Sequence, residues 1–409
     1  MKIALAQLNY HIGNFESNTK KIIDAINEAK QKGADLVVFA ELAVCGYPPR
    51  DFLEFSEFID LCNSAVKQIA TACVDIACIL GAPTENPRVE GKDLFNSAYF
   101  IENGVVTSIV NKALLPTYDV FDEYRYFEPS PEFSCIRFMG KKIALTICED
   151  LWNINDNPLY ITAPMDQLIA EEPDIMINIA ASPFSYNHDD NRYKILSDNC
   201  KKYNLPLLYV NQVGSQTEII FDGGSLVFDG EGNMLDQLNY FREDIRVYNF
   251  EDGKIQDLEI KNHNPLPDIE QIHQALVLGI RDYFQKSGFS KAVLGLSGGI
   301  DSAVVCALAA EALGPENVMA VLMPSKYSTD HSVQDAIDLV NNLGCMHHIV
   351  AIKEAADAFD NMLAPAFKGL PFSVAEENIQ ARCRAIIVMA FSNKFGYILL
   401  NTSNKSELA

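Results

Sequence analysis

The stretch from Val293 to Val305, VLGLSGGIDSAVV, restricts the fold more than any other part of the chain. Lys291 to Leu296 is apolar enough to be a buried parallel strand, and Ser302 to Leu313 places Val304, Ala307, Leu308 and Glu311 at helical spacing. Ser297, Gly298 and Gly299 fill the turn between them. Such a strand-to-helix turn presents backbone N–H groups where the helix dipole is positive, and glycine lets an anion approach closely. That makes it a phosphate cradle. The turn lacks the lysine of G-x-x-x-x-G-K-[ST], and Asp301 would repel a phosphate unless a metal lay between them, so a Mg²⁺ bridge at Asp301 is expected. A tight βα turn with no ligand is the alternative these residues leave open.

The S-G-G-x-D-S pattern of Ser297 to Ser302 resembles the pyrophosphate-binding loop of the ATP pyrophosphatases, which split ATP into AMP and pyrophosphate. The resemblance implies that Gly295, Leu296, Ser297, Gly298, Gly299, Ile300, Asp301 and Ser302 hold ATP. It also sets Met323 of VLMPS against the adenine and Thr402 in contact with ATP.

Strands and helices alternate around this motif: a helix from Ile269 to Gln285, the strand VMAVLMPS, a helix from Thr329 to Leu343, HHIVAI, a helix near Ser373 to Phe395, and YILLNTS. This is the pattern of a doubly wound parallel sheet, with ligands beyond the carboxyl ends of its strands. Before it, residues 1 to 250 also alternate, and SAYFIENGVVTSI and SLVFDGEGNMLDQL read as hairpins, so an α/β layered domain with antiparallel pairs is expected. Residues 251 to 267 turn polar and carry two prolines, which marks a linker. The expected division is 1–250, a linker at 251–267, and 268–409.

Composition narrows the function classes. Of 409 residues, 55 are acidic and 32 basic, a formal charge of −23 that disfavours duplex nucleic acid, whose phosphates need Lys and Arg. No apolar run reaches the roughly 18 residues that span a bilayer, and the first residues do not form a secretory leader. The ten cysteines show no C-x-x-C and no regular spacing, so neither disulfide framework nor zinc site is indicated, and a reducing cytoplasm fits.

In the first domain three reactive residues each follow an apolar strand: Glu41 after DLVVFA, Lys112 after VVTSIVN and Cys148 after KKIALTI. All three gather at one rim. A cysteine that attacks an amide needs a base for its proton and a positive group for the oxyanion, and Glu41 and Lys112 supply these. Taken singly, a core thiol and a surface ion pair are the plainer readings.

The three together, with ELAVCGYP, NKALLPTYDVFDE and ICEDLW around them, resemble the carbon–nitrogen hydrolase (nitrilase) family. The resemblance implies an α-β-β-α layered fold, Glu41 as general base, Lys112 as stabiliser of the tetrahedral intermediate, and Cys148 as the nucleophile that forms a thioester. The Glu149 backbone N–H becomes the second oxyanion donor. NKALLPTYDVFDE is similar to glutamine-hydrolysing members, which implies glutamine contacts at Tyr118, Glu123 and Ser182. Where that family carries Lys or Arg for the substrate carboxylate this chain has His188, only partly charged at neutral pH, so His188 and Arg192 are both candidates for that contact, with weaker glutamine binding as the alternative.

A nitrilase-type amidase joined to an ATP pyrophosphatase resembles the glutamine-dependent NAD synthetase family over nearly the whole chain. The resemblance implies ATP-dependent adenylation of deamido-NAD, with ammonia from L-glutamine displacing AMP. It implies deamido-NAD contacts at Asn378, Arg382, Lys405 and Glu407, Mg²⁺ on Asp301 and Glu407, small-molecule substrates rather than nucleic acid or membrane, and a homo-oligomer. The resemblance implies a chain that continues beyond NKSELA, so a synthetase domain incomplete at its C-terminus is expected. A nitrilase-type amidase with an inactive nucleotide-binding tail is the alternative.

Overall fold

The computed structural model describes the chain apart from residues 155–158, 187, 188, 327, 405 and 407–409. Contacts divide it into two units, Met1–Ala275 and Leu276–Ala409.

In the first unit a seven-stranded sheet runs, edge to edge, through Lys254–Ile255, Asp244–Glu251, Lys2–Gln7, Leu36–Val38, Ala77–Glu85, Leu94–Glu102 and Val105–Asn111. A six-stranded sheet runs through Met234–Gln237, Leu226–Phe228, Leu207–Asn211, Ile175–Ala180, Lys141–Ile147 and Ile136–Phe138. Both expected hairpins are present, Leu94–Glu102 with Val105–Asn111 and Leu226–Phe228 with Met234–Gln237.

Alternation along the strands builds the layers. Ile3, Leu5, Leu36 and Val38 pack with Ile143, Leu145, Ile175 and Ile177 of the other sheet. Their neighbours Ala4, Ala6, Val37 and Phe39 face outward onto Ile22, Ile26, Val66 and Ile69 of the helices Phe15–Gln31 and Ser56–Ala72. Leu196 and Cys200 of the helix Asp189–Tyr203 cover the six-stranded sheet. Helix, sheet, sheet and helix thus form the four layers, and each fully buried Ile, Leu or Val contributes about 1.5–3 kcal/mol.

The second unit holds a four-stranded, all-parallel sheet in the order Met346–Ile349, Val318–Leu322, Ala292–Leu296 and Ile398–Leu399. Chain order therefore reverses between Ala292–Leu296 and Ile398–Leu399, which is where a doubly wound sheet opens its ligand crevice. The helices Asp330–Leu343 and Val374–Phe395 start from side-chain caps, Thr329 and Ser373. The sequence reading missed the helices Ser56–Ala72, Pro164–Leu168, Asp189–Tyr203 and Lys353–Phe367. The last of these contains Pro365, a residue that argues against a helix locally.

Residues 256–267 form no helix or strand, yet they are tied to the first unit. Lys261 lies 2.5 Å from Asp236, and the His263 ring stacks on Tyr193 at 4.2 Å. Among the described residues, no helix is long and apolar enough to cross a membrane.

Candidate active sites

Strand direction brings Glu41 and Lys112 together. Leu36–Val38 runs parallel to Ala77–Glu85, and two antiparallel steps later Val105–Asn111 runs the same way, so both strands end at one rim. Lys141–Ile147 of the facing sheet ends there too, and Cys148 opens the short 3-10 turn Cys148–Leu151. Its φ of 43° lies in the left-handed region, which costs a residue with a Cβ roughly 1–2 kcal/mol.

The Lys112 ammonium is fully buried, 2.6 Å from Glu41 Oε1 and 2.8 Å from Glu123 Oε2. Asn96 Nδ2 donates to Glu41 Oε1 at 2.7 Å and the Ala181 N–H donates to Glu41 Oε2 at 2.9 Å. Burial pulls the ammonium down, but Glu123 and Glu41 together hold it well above its usual range. Burial pushes the Cys148 thiol well up, Glu41 raises it further, and Lys112 acts against both. A thiol so placed favours its neutral form, and it would need a base to take its proton before it could act as a nucleophile.

Asp150, which sequence reasoning did not use, fixes this arrangement. Its carboxylate accepts the N–H of Ala113 at 3.0 Å, of Leu114 at 2.9 Å and of Ile147 at 3.0 Å, so it clips the chain after Lys112 to the chain before Cys148. Burial pushes its carboxyl up to about 7 against the pull of those N–H donors.

In front of Cys148 lies a cavity of about 170 Å³, lined among others by Tyr118, Glu149, Trp152 and Ser182. Of the residues expected to contact glutamine, Tyr118 and Ser182 line this cavity. Glu149 was expected to act only through its N–H, yet its carboxylate lines the cavity and accepts the hydroxyls of Tyr118 at 2.9 Å and Tyr160 at 3.1 Å. Burial raises its carboxyl, which Lys112 and the two hydroxyls counter.

Two expected glutamine contacts lie elsewhere. Glu123, 4% exposed, faces Lys112 and Tyr47 instead of this cavity. Arg192 does not line it either: its buried guanidinium is held by Asp222, at 2.9 Å to Oδ1 and 2.6 Å to Oδ2. His188 lies outside the described residues.

In the second unit a cavity of about 700 Å³ opens at the carboxyl ends of the parallel strands. Gly295, Leu296, Ser297, Met323 and Thr402 line it. Gly298 (φ 83°), Gly299 and Ser302 shape its turn: the Gly299 N–H donates to Ser297 Oγ at 3.1 Å, and Ser302 Oγ donates to the Gly299 carbonyl at 3.1 Å. The helix Ile300–Leu313 that follows has no side-chain cap, so its first N–H groups are not taken by one. Ile300 and Asp301 sit exposed at that end.

Asn378 and Arg382 are exposed and do not line this cavity; Arg382 donates to the Asn378 carbonyl at 3.1 Å. Arg384, two residues on, lines it and donates to the Met323 carbonyl at 3.3 Å. Thr402 is half-buried, and Lys405 and Glu407 lie outside the described residues. No group of three His, Cys, Asp or Glu side chains among the described residues is placed for a metal ion. Mg²⁺ needs only one or two carboxylates beside substrate phosphates and water. The exposed Asp301 carboxylate beside this glycine turn fits that chemistry.

A family model described as carbon-nitrogen hydrolase matches residues 2–258, and one described as NAD synthase matches residues 272–409. The glutamine-dependent NAD(+) synthetase of Synechocystis sp. is 44% identical, over 100% of this chain and 74% of its own length. The chain belongs to the glutamine-dependent NAD(+) synthetase family. The solved glutamine-dependent NAD+ synthetase of Acinetobacter baumannii, in complex with adenosine diphosphate, matches with a TM-score of 0.92 at 38% identity, covering 100% of this chain and 75% of that one. An amidase from Nesterenkonia sp. matches 60% of this chain and 89% of its own with a TM-score of 0.52 at 23% identity, which shows the layered fold alone. The chain thus spans about three quarters of the length of these synthetase relatives.

Proposed function

We propose that this enzyme is a glutamine-hydrolysing NAD synthetase, converting deamido-NAD, ATP, L-glutamine and water to NAD, AMP, diphosphate and L-glutamate. The observation that carries the reading is the pairing in one chain of a Glu41–Lys112–Cys148 rim with the Gly298–Gly299 strand-to-helix turn before the helix Ile300–Leu313. The working halves are residues 1–250 and 268–409, with 251–267 between them.

In the glutaminase half Cys148 attacks the amide carbon while Glu41 takes its proton. Lys112 and the Glu149 N–H meet the oxyanion, and Glu41 returns the proton to the leaving ammonia. Glu123 holds Lys112 in place. The Glu149 carboxylate, steadied by Tyr118 and Tyr160, takes the α-ammonium of glutamine, and Ser182 the other end of the molecule.

In the synthetase half, Gly295 to Ser302 receive the ATP phosphates and Met323 and Thr402 flank the nucleoside. A carboxylate is a poor electrophile until its oxygen becomes part of a good leaving group, which adenylation of deamido-NAD supplies. Asp301, with Glu407, would hold Mg²⁺, which neutralises phosphate charge when bound. Arg384 reaches an anionic group of ATP or deamido-NAD inside the cavity. Asn378, Arg382 and Lys405 are assigned to deamido-NAD on the family resemblance. The ten free cysteines support a reducing, cytoplasmic setting, and the exposed Ile386, Met389 and Phe395 of the last helix support a homo-oligomer.

The test is Cys148→Ala, assayed with deamido-NAD, ATP and Mg²⁺. Glutamine-dependent NAD formation should vanish while formation from added ammonium persists. Retained glutamine-dependent synthesis would sink the assignment, and loss of both activities would contradict two separable sites.

A further inference from the structure

Behind the buried Lys112 lies a second cavity that the glutaminase chemistry above does not use. It measures about 360 Å³ and is lined by Tyr47 and Glu123, with Arg50, Asp51, Asp122 and Arg125 also on its walls. The Asp51 and Arg125 side chains are 65% and 52% exposed, so this cavity meets solvent. Cys148, Glu149 and Ser182 line only the substrate cavity; the two cavities share Asp119, Val120 and Phe121.

We propose that Tyr47 and this rear cavity are the outlet through which the glutaminase site passes one proton per turnover to solvent. The proposal rests on the glutaminase reading above, and it follows from balancing that reaction. In the first step the C–S bond forms and the amide C–N bond breaks; the thiol proton, carried by Glu41, leaves on the nitrogen as neutral NH₃. In the second step the C–O bond to water forms and the C–S bond breaks. One water proton restores the Cys148 thiol. The other is left over when the product becomes a carboxylate. The sum is amide plus water giving carboxylate, NH₃ and H⁺. A nitrogen delivered as a nucleophile cannot take that proton, so it must leave by another route.

Glu41 has no exposure, and in the glutaminase reading the cavity in front of Cys148 is the one that receives the substrate. To the rear, the groups needed for a transfer already stand at hydrogen-bond distance. Lys112 Nζ lies 2.6 Å from Glu41 Oε1 and 2.8 Å from Glu123 Oε1, and Tyr47 Oη donates to Glu123 Oε1 at 2.7 Å. Lys112 gives a proton to Glu123 as it receives one from Glu41. Tyr47 turns its hydroxyl hydrogen from Glu123 to water in the rear cavity, and Glu123 then passes a proton to the phenol oxygen as Tyr47 releases its own. No side chain has to travel. Burial and the neighbouring Glu123 hold the Tyr47 phenol far above its usual range, so it stays a hydroxyl able to accept and donate.

Tyr47→Phe removes the relay oxygen and keeps the ring that packs edge-on to Phe221 at 6.1 Å. Rapid-quench measurement should show thioester formation near the rate of the unmodified chain. Steady-state glutamine hydrolysis should fall by roughly 10-fold or more, with thioester accumulating and a larger solvent deuterium isotope effect on kcat. Unchanged kcat and isotope effect would overturn the outlet. So would an equal loss of thioester formation and hydrolysis with raised KM, which would mark Tyr47 as a prop for Glu123. On the unmodified chain, kcat in mixed H₂O and D₂O should depend on deuterium content along a curve, because several protons move together. A straight line, one proton in flight, would overturn the relay without any variant. Absence of any thioester in the unmodified chain would overturn the glutaminase reading itself and the outlet with it.

Discussion

Lys112 Nζ lies 2.8 Å from each carboxylate oxygen of Glu123, so one buried carboxylate grips the ammonium with both of its oxygens. The same ammonium contacts only one oxygen of Glu41, leaving Glu41 Oε2 to the Ala181 N–H. The two carboxylates thus hold the lysine differently, Glu123 through both oxygens and Glu41 through one.

Glu123→Gln should therefore damage the glutaminase half alone. Removing one partner of a buried ion pair costs about 3–5 kcal/mol, and here the lysine would be left to Glu41, drawing on the base itself. The expected result is a fall of at least about 100-fold in glutamine-dependent kcat/KM, at about 1.4 kcal/mol per decade. NAD formation from ammonium should be retained. Steady-state assays with each nitrogen source decide it, and near-normal glutamine use would contradict the role given to Glu123.

Glu149→Gln should separate recognition from chemistry. A hydrogen bond to a charged group is worth about 1.5–3 kcal/mol, so loss of the carboxylate should raise the KM for glutamine by roughly 10- to 100-fold. The kcat should change less. A variant with unchanged KM would mean that the α-ammonium is held elsewhere.

Asp150 gives the fold a titration of its own. Its folded value, pushed up to about 7, lies above the ordinary 3.8 of an unfolded aspartate, so the folded state takes up a proton between the two. The stability this group contributes is greatest at the acid end and is lost as pH rises through 7, by up to about 1.4 kcal/mol per unit. Asp150→Asn abolishes the titration and leaves a donor facing the Ile147 N–H. The variant's Tm deficit should shrink between pH 5 and 7 and then level off. A deficit constant across that range would show that Asp150 does not titrate there.

Gly298→Ala should disable the other half. At φ 83°, a Cβ on this residue would stand 2.2 Å from the Ser332 carbonyl oxygen, a backbone atom that cannot swing aside. Left-handed backbone at a non-glycine residue adds about 1–2 kcal/mol. NAD formation should fall by roughly 10-fold or more with glutamine and with ammonium alike, by the same 1.4 kcal/mol per decade, while glutamine hydrolysis continues. Full synthesis from ammonium by this variant would remove the turn from the ATP site.

Much of this arrangement could be read from local sequence because strand ends carry it. Glu41, Lys112 and Cys148 each follow an apolar run, and parallel strand direction delivers such residues to one rim. What sequence reading missed depends on partners far away in the chain. Arg192 looks available until Asp222, thirty positions on, takes its guanidinium, and Glu123 looks like a substrate contact until Lys112 and Tyr47 enclose it. Arg382 and Arg384 are equivalent by residue type; the helix turn between them leaves one in solvent and sets the other on the cavity wall. The two acids after Cys148 were a usable signal, since carboxylates so close to a thiol need buried donors, and these are the Tyr118 and Tyr160 hydroxyls and three backbone N–H groups.

The left-handed backbone of Cys148 bears on whether this chemistry can be transplanted. A scaffold that reproduced the Cα positions of Glu41, Lys112 and Cys148 on regular strands and helices would aim the sulfur along a different direction, because φ of 43° belongs to neither. The portable unit is the cysteine together with the clip that forces its turn: Asp150 drawing in the N–H groups of Ala113, Leu114 and Ile147. Grafting three side chains without that clip moves the reagents and leaves behind their alignment.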